Sequence, residues 1–412
     1  MSARLRILAL CLLIMSASAC STGTPAAAPA PVRRAATPTT TIAAAPAARP
    51  APSRRATSTP APVPVSACAQ QVLRSLTPAQ RAAQVFNVGL DVTDLNNGSD
   101  LVTQTGVGGV FLSGRSQAGM GLAPAIANLK RSALAAGRLA PLVSADEEGG
   151  LVQSVRGPGI PPWPSALDQS TWTLPQLSSG SAAWAASLHT LGITLNLGPV
   201  SDVVAVADRG SNPPIGALGR EYGAIAGPTA VRVAIVTAAL QRAGVGATAK
   251  HFPGLGRVSA NTDTSTLAQD NVTTADDVNL APFEAAIRAG ATAVMISSAR
   301  YPLLDPTNPA LWSAPTITTL LRGRLGFTGL VISDDISNAV AVSAVSPGDR
   351  AIRFLQAGGD MVLIVNRADL LPMLSAVQSA ATSSPAFGAI LRQAAHDVVM
   401  SKISLGLVTC SR

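Results

Sequence analysis

Ionisable side chains occur in short groups, and each group directly follows a run of apolar residues. Carboxylates predominate, and one group joins a lysine to a histidine. Such carboxylates are typical of glycoside hydrolysis and related acid–base chemistry, in which one group moves a proton and another attacks carbon or stabilises charge. The groups are Asp146-Glu147-Glu148, Asp202, Lys250-His251 and Asp334-Asp335, and Ser298 follows a comparable apolar run.

The histidines and glycines do not form a recognisable metal or cofactor motif. The three histidines, His189, His251 and His396, are far apart in the chain. The chain also lacks the phosphate-binding pattern G-x-x-x-x-G-K-[ST] and a strand-borne G-x-G-x-x-G. We therefore expect neither a metal nor a cofactor.

Eight short apolar, β-branched runs alternate with alanine-rich segments of helical spacing, such as 125–136, 229–243 and 281–289. Strand–helix alternation repeated eight times predicts an α/β fold, a single (β/α)8 TIM-type barrel over residues 67–412. A doubly wound open sheet remains the alternative, because the pattern cannot distinguish an open sheet from a closed one. The predicted strands are 84–90, 107–113, 141–145, 193–198, 245–250, 291–297, 329–333 and 361–365.

The ionisable groups lie where these predicted strands end. Asp146 follows the third strand, Lys250 and His251 end the fifth, and Asp334 ends the seventh. Because barrel active sites are built at the carboxyl ends of the strands, the groups are expected to meet at one mouth. The sequence thus predicts an acid–base site there.

Several segments, taken in order over about residues 70–410, resemble glycoside hydrolase family 3. The resemblance is closest to its single-domain bacterial β-N-acetylglucosaminidases. It implies a retaining mechanism and release of terminal β-linked N-acetylglucosamine (GlcNAc), with peptidoglycan fragments as the expected substrates. The segments that carry it are Asp146–Gly150, Leu195–Asp202, Ile215–Gly223, Lys250–Gly254, Gly329–Asp335 and, more weakly, Ala357–Asp360.

The resemblance also implies roles for individual residues. Asp334 is the nucleophile, whereas Asp202 is mainly structural and Asp335 is the better candidate for a cap. Each of these residues also has a structural interpretation. In that interpretation Asp334 caps a helix, and Lys250 and His251 form an ion pair with Asp202. Asp146 and Arg220 then have only a loop role. The expected substrate-binding residues are Asp146, Arg220, Lys250, His251 and Arg156.

The loop after the fifth strand departs from the family pattern. Leu255 replaces a histidine, and Asn261-Thr262-Asp263 stands where the branch has Asp-Ser-His, whose histidine is the acid/base. Asp263 is therefore the candidate acid/base, although an aspartate of ordinary pKa is nearly all ionised at neutral pH. Its structural alternative is a solvated loop carboxylate. Other departures are Leu151 and Ser154 in place of arginines and Ser298 in place of a histidine.

Three functional interpretations follow from these departures. The first is a working β-glycosidase in which Asp263 supplies the proton after its pKa rises in the closed site. The second is a glycan-binding relic that turns over slowly or not at all. The third is a glycosidase of different sugar specificity, or transfer to phosphate or another acceptor.

The sequence of residues 1–66 predicts a segment that directs export and then tethers the protein. Residues 1–20 combine Arg4 and Arg6, an apolar run and small residues before Cys20, which predicts a signal peptide with a lipidated cysteine. Residues 21–66 contain ten prolines, 14 alanines and eight threonines, which predicts a disordered linker. We therefore expect an exported protein, either lipid-anchored to the outer face of the plasma membrane or freely secreted.

The charge and the remaining cysteines complete this description. The chain has a formal charge of +8, but residues 67–412 carry 23 basic and 22 acidic residues, so nucleic acid is not an expected partner. Cys68 and Cys410 lie near the two ends of the predicted barrel and are expected to form a disulfide, with two buried thiols as the alternative. We expect a monomer whose only membrane contact is its lipid anchor.

Overall fold

A ring of eight parallel strands lies at the centre of the computed structural model, which describes residues 65–410. The strands are paired in the order β10-β1-β2-β3-β6-β7-β8-β9. Two further short strands, β4 and β5, form a separate antiparallel hairpin. The strands are β1 (Phe86–Asp91), β2 (Gly109–Ser113), β3 (Leu142–Ala145), β4 (Glu147–Gly149), β5 (Val152–Gln153), β6 (Leu195–Asn196), β7 (Gly246–Phe252), β8 (Ala293–Ile296), β9 (Leu330–Ser333) and β10 (Val362–Ile364).

The two edges of this sheet meet and close the barrel. Ile332 of β9 pairs in parallel with Met361, which immediately precedes β10. The Ser333 amide donates to the Met361 carbonyl at 3.0 Å, and the Met361 amide donates to the Val331 carbonyl at 3.0 Å. An open doubly wound sheet is thereby excluded. The predicted (β/α)8 barrel is confirmed, and each of the eight predicted strand segments overlaps one barrel strand, although β1 and β7 extend past the predicted ends to Asp91 and Phe252.

Helices follow the barrel strands and cover them on the outside. α6 shows how local sequence sets the limits of a helix. Thr173 and Gln176 form a reciprocal capping box at its start, and Gly192, with φ of 100°, ends it. The helices are α1 (Val65–Ser75), α2 (Pro78–Gln84), α3 (Ser99–Thr105), α4 (Ala123–Ala135), α5 (Ala166–Gln169), α6 (Leu174–Leu191), α7 (Ala226–Arg242), α8 (Ala281–Arg288), α9 (Pro347–Gln356), α10 (Leu370–Ser383), α11 (Pro385–Ser404) and a π-helix (Pro315–Arg324).

The strands are buried on both faces, and their side chains alternate between two apolar layers. In β8, Ala293 and Met295 join the layer inside the barrel, whereas Val294 and Ile296 join the larger layer under the helices. This alternation points each strand's inner residues into a filled lumen. The barrel is therefore a rigid base for the loops at its carboxyl end.

The predicted disulfide is present and joins α1 to the end of the chain. Cys68 and Cys410 are bonded, with their Cα atoms 5.7 Å apart. α1 begins at Val65, two residues before the predicted barrel boundary. The predicted signal peptide, Cys20 and nearly all of the predicted linker lie outside the described residues. Within residues 65–410, no helix combines the length and apolar character needed to cross a membrane.

Candidate active site

An open cavity of about 490 Å³ lies at the carboxyl ends of the barrel strands. Its floor is apolar and includes Phe111, Leu197 and Met295, which come from three different strand ends. Its walls carry six of the seven side chains that the sequence assigned to catalysis or substrate binding. Those six are Asp146, Arg220, Lys250, His251, Asp263 and Asp334.

Four charged side chains on one wall form a continuous network, which we call the Glu148 cluster: Asp146, Glu148, Arg220 and Lys250. Lys250 Nζ lies 2.6 Å from Asp146 Oδ1 and 2.6 Å from Glu148 Oε1. Arg220 donates to both oxygens of Glu148, through Nε at 2.8 Å and through Nη2 at 2.7 Å. Glu148 thus holds both cations at once, in the bidentate geometry that makes arginine–carboxylate pairs strong.

The charges of the Glu148 cluster stabilise one another against burial. Burial alone would raise the pKa of Glu148, but the positive charges of Arg220 and Lys250 lower it to about 2. Burial would likewise lower the pKa of Lys250, yet Asp146 and Glu148 raise it above its ordinary value. Glu148 and Lys250 therefore stay charged at neutral pH. Fixed charges of this kind make strong, directional hydrogen bonds with sugar hydroxyls.

His251 is oriented by Asp202, which is fully buried beneath it. His251 Nδ1 lies 2.8 Å from Asp202 Oδ2, and Asp202 Oδ1 also accepts the Leu255 amide at 2.7 Å. Nε2 of the same imidazole is 3.5 Å from Arg220 Nη2. His251 therefore pairs with Asp202, as the structural alternative expected. The pair holds the imidazole beside the Glu148 cluster, and His251 still lines the cavity.

Asp334 stands at the end of β9, where its backbone amide donates to the Ile296 carbonyl at 3.0 Å. Its Oδ1 accepts the Asp335 amide at 2.9 Å. Burial and the negative charge of Asp263 raise the pKa of Asp334, whereas His251 and Lys250 oppose them, and the pKa lies at about 6. The carboxylate is thus mostly ionised at neutral pH, as a nucleophile requires.

Asp335, by contrast, holds the backbone of the loop after β9. Its Oδ1 accepts the Ser337 amide at 2.9 Å and the Val365 amide at 3.0 Å, and Oδ2 accepts the Asn338 amide at 3.3 Å. Asp335 is therefore a turn cap that ties this loop to the end of β10.

Asp263 lies on the opposite wall, in residues 253–268, which we call the β7 loop. Its backbone amide donates to Asn261 Oδ1 at 2.9 Å, and within residues 65–410 its carboxylate makes no hydrogen bond. Its pKa is raised by partial burial at the cavity wall and by the charge of Asp335, although His251 and Arg220 oppose this. The residue stays exposed to solvent, so its desolvation is incomplete. A raised pKa favours the protonated form that a general acid needs.

The β7 loop is held at its base and again beside Asp263. Asn212 Nδ2 donates to the Leu255 and Val258 carbonyls at 2.7 and 2.8 Å. Arg257 pairs with Asp277 outside the loop, its Nη2 lying 3.1 Å from Asp277 Oδ1. Thr262 is buried, and its carbonyl accepts the Ala341 amide at 3.1 Å. The backbone around Asp263 is therefore held, whereas its carboxylate makes no hydrogen bond within the described residues.

Arg156 is the one sequence-predicted residue that does not line the cavity. Its guanidinium donates to the Gly150 carbonyl, and its backbone amide donates to the Ser116 carbonyl at 2.9 Å. It braces the β4–β5 hairpin, whose Val152 does reach the cavity. Conversely, no functional role for Glu148 was predicted from the sequence. The sequence shows that Glu148 lies close to Asp146 after β3, which could have indicated a role in the site. Only the fold shows that Glu148 contacts Arg220 and Lys250.

The described residues contain no group of three or more His, Cys, Asp or Glu side chains arranged to hold a metal ion. The carboxylates of the cavity are instead paired with Lys250 and Arg220 or, like Asp263 and Asp334, face the open space. The chemistry that these groups can perform is proton transfer and nucleophilic attack by a carboxylate.

Comparison with known proteins identifies relatives that share both fold and sequence. A β-hexosaminidase of Xanthomonas campestris is 33% identical over 308 residues, which span 70% of this chain and 87% of the relative. The crystal structure of a β-N-acetylhexosaminidase from Beutenbergia cavernae matches with a TM-score of 0.77 and 43% identity, and the match covers 80% of this chain and 99% of that one.

A more distant structure, the family 3 β-N-acetylglucosaminidase of a Paenibacillus species, matches with a TM-score of 0.73 and 27% identity over 82% of this chain and 65% of that one. The model of the glycosyl hydrolase family 3 N-terminal domain matches residues 80–396. Those residues include every charged side chain of the cavity described above. The chain therefore belongs to glycosyl hydrolase family 3 and is a glycoside hydrolase that acts on O-glycosyl bonds.

Proposed function

We propose that this glycoside hydrolase is a retaining β-N-acetylhexosaminidase that removes terminal β-linked GlcNAc from cell-wall fragments. One observation carries the proposal: Asp334, Asp263 and the sugar-facing side chains Asp146, Arg220, Lys250 and His251 line a single cavity. The names of the relatives support the choice of sugar. Peptidoglycan fragments, the substrates expected from the sequence, are compatible with this choice of sugar.

In the first step, a carboxylate oxygen of Asp334 attacks the anomeric carbon of GlcNAc. The bond from that carbon to the glycosidic oxygen breaks, and the leaving oxygen takes the proton of Asp263. The products are a covalent glycosyl-aspartate and the free aglycone alcohol. Asp263 is left as a carboxylate.

In the second step, Asp263 acts as the base. It takes a proton from water, the water oxygen bonds to the anomeric carbon, and the bond between that carbon and Asp334 breaks. Free GlcNAc leaves, and both aspartates regain their starting protonation states. Two inversions at the same carbon retain the β configuration.

The two roles separate when a sugar occupies the cavity. In the free cavity burial raises the pKa of both Asp334 and Asp263, and His251 opposes the shift at both residues. A sugar over the cavity would displace water from Asp263 and raise its pKa further, because burial disfavours the ionised carboxyl. One aspartate is then ionised and the other protonated in the same site.

We propose that the enzyme works outside the cytoplasm as a monomer, anchored to the outer face of the plasma membrane through Cys20. The signal-like segment and the linker composition of residues 21–66 support this setting. Mass spectrometry of the membrane fraction should find an acyl group on Cys20. An unmodified mature N-terminus in the culture fluid would refute the anchor without affecting the enzymatic proposal.

The test of the enzymatic proposal uses two substrates and the full chain. A nitrophenyl β-N-acetylglucosaminide has a leaving group that needs little protonation, whereas the disaccharide GlcNAc-β-1,4-MurNAc requires an acid. We expect the protein to cleave both, and Asp334→Asn to abolish both rates while keeping GlcNAc affinity within about tenfold.

Each other outcome rejects a defined part of the proposal. Cleavage of the nitrophenyl glycoside alone would leave the nucleophile and the sugar pocket but reject Asp263 as a working acid. Binding of GlcNAc without cleavage of either substrate would favour a glycan-binding relic. A wild-type rate in Asp334→Asn would reject the nucleophile.

A further inference from the structure

A second cavity lies far from the active site, between α2, α10 and α11 on the outside of the barrel. Its volume is about 510 Å³, and it is lined by the first turn of α2, the end of α10 and the middle of α11. Two arginines, Arg81 of α2 and Arg392 of α11, line it together. We call it the α2–α11 groove. None of the proposed catalytic or sugar-binding residues contributes to it.

Neither arginine is neutralised by a neighbour. Within residues 65–410, the guanidinium groups of Arg81 and Arg392 make no salt bridge and no hydrogen bond. Nε of Arg81 is fully buried without a partner, which is costly for a charged donor. Nη1 of Arg392 lies beside Gly388, one turn earlier on α11.

The surroundings of the α2–α11 groove are also poor in acidic residues. No carboxylate lines it, although the polar side chains of Gln378 and Thr382 do. Residues 65–84 contain no acid, and residues 370–410 contain only Asp397. That carboxylate accepts hydrogen bonds from Gln393 Nε2 at 3.0 and 3.1 Å. The two guanidiniums therefore face a local excess of positive charge.

We infer that the α2–α11 groove binds a phosphate group, held by the guanidiniums of Arg81 and Arg392. Two planar, permanently charged donors match the charge and the oxygen geometry of a phosphate, and arginine commonly supplies this pairing. The phosphate can belong to a free phosphorylated compound or to a lipid headgroup, because the recognising chemistry is the same.

The binding test uses the full chain with Cys20→Ser, so that no acyl group contributes. Titration calorimetry with inorganic phosphate measures the site itself, and sedimentation with vesicles of phosphatidylglycerol or of neutral phosphatidylcholine distinguishes a headgroup from a free ligand. We expect Arg81→Gln with Arg392→Gln to weaken phosphate binding at least about tenfold, since both charged donors are removed. Hydrolysis of the nitrophenyl glycoside should not change.

A matched control separates the groove from general charge attraction. Arg131 and Arg242 are exposed, have no side-chain partners within the described residues and lie elsewhere, so Arg131→Gln with Arg242→Gln removes the same charge. Equal weakening by both double variants, or no phosphate binding by the parent chain, would overturn the inference. Because Arg81 is partly buried, the single variant Arg392→Gln repeats the test at an exposed residue.

Discussion

The two walls of the active-site cavity differ in how firmly their charged groups are held. On one wall, Glu148 makes three charged contacts of 2.6 to 2.8 Å with Arg220 and Lys250, and Lys250 makes another with Asp146. On the other wall, the Asp263 carboxylate makes no hydrogen bond within the described residues and remains exposed. The side chains proposed to bind the sugar are held by partners, and the side chain proposed to move the proton is not.

Two of the departures from the family pattern lie in the less constrained region. The segments that form the Glu148 cluster resemble the family pattern, whereas the β7 loop carries Leu255 and Asp263 where the pattern has histidines. Replacing one member of a buried ionic network is costly, because the other members lose a partner. The Asp263 carboxylate has no such partner within residues 65–410. The comparison teaches that the Glu148 cluster restricts substitution more strongly than the Asp263 position does.

The largest effect should come from removing the acid. We expect Asp263→Ala to slow cleavage of GlcNAc-β-1,4-MurNAc by about 10²–10⁴-fold, because general acid catalysis contributes that much. The nitrophenyl glycoside should be slowed far less, since its leaving group needs little protonation. Steady-state kinetics on both substrates measures the difference. Equal slowing of both would mean that Asp263 is not the acid.

The next effect should come from the Glu148 cluster, and it should appear as instability. Glu148→Gln leaves Arg220 and Lys250 underneutralised, and breaking a buried ion pair costs about 3–5 kcal/mol in unfolding free energy. Glu284→Gln is the control, because Glu284 pairs with Arg288 on an exposed helix surface and should change stability by less than about 0.5 kcal/mol. Urea unfolding measures both. Similar losses would show that the cluster is not the more constrained wall.

A smaller effect should follow from loosening the base of the β7 loop. Arg257→Met removes the pair with Asp277, and the displaced loop should lower kcat/KM for the disaccharide by roughly 10–100-fold. Arg324→Met is the control, because its pair with Asp276 is exposed and lies outside the loop. An unchanged kcat/KM in Arg257→Met would mean that other contacts suffice to place Asp263.

The smallest effect concerns the pH profile. Since Asp334 must be ionised to attack and its pKa is about 6, the rate on the nitrophenyl glycoside should fall as the pH drops below 6. The negative charge of Asp263 raises that pKa, so Asp263→Asn should lower it and move the acidic limb to lower pH. An acidic limb that stays in place or moves upward would show that the two aspartates do not interact.

The barrel strands were predictable from sequence because each strand carries its own signal. A run such as Leu330–Ile332 is apolar throughout, as is typical of a strand buried on both faces. The positions of Asp146, Lys250 and Asp334 at strand ends follow from the same local pattern.

The contacts of those side chains were not predictable in this way. Glu148 and Arg220 are 72 positions apart, and Lys250 and Asp146 are 104 apart. No local spacing encodes which of two neighbouring acids, Glu147 or Glu148, turns toward the cations. In the structure Glu147 instead accepts the Val155 amide at 2.8 Å. The position of Arg156 behind the β4–β5 hairpin could not be predicted from the sequence for the same reason.

The sequence by itself determined the strand–helix alternation, the strand ends that carry the chemistry and the resemblance to the family. Only the tertiary structure decided that the sheet closes into a barrel, that Asp263 and Asp334 share one cavity and that Glu148 joins the two cations. The physical reason is the range of the forces involved. Burial patterns and caps act over a few residues, whereas ion pairs form between whichever groups the closed barrel brings within about 4 Å.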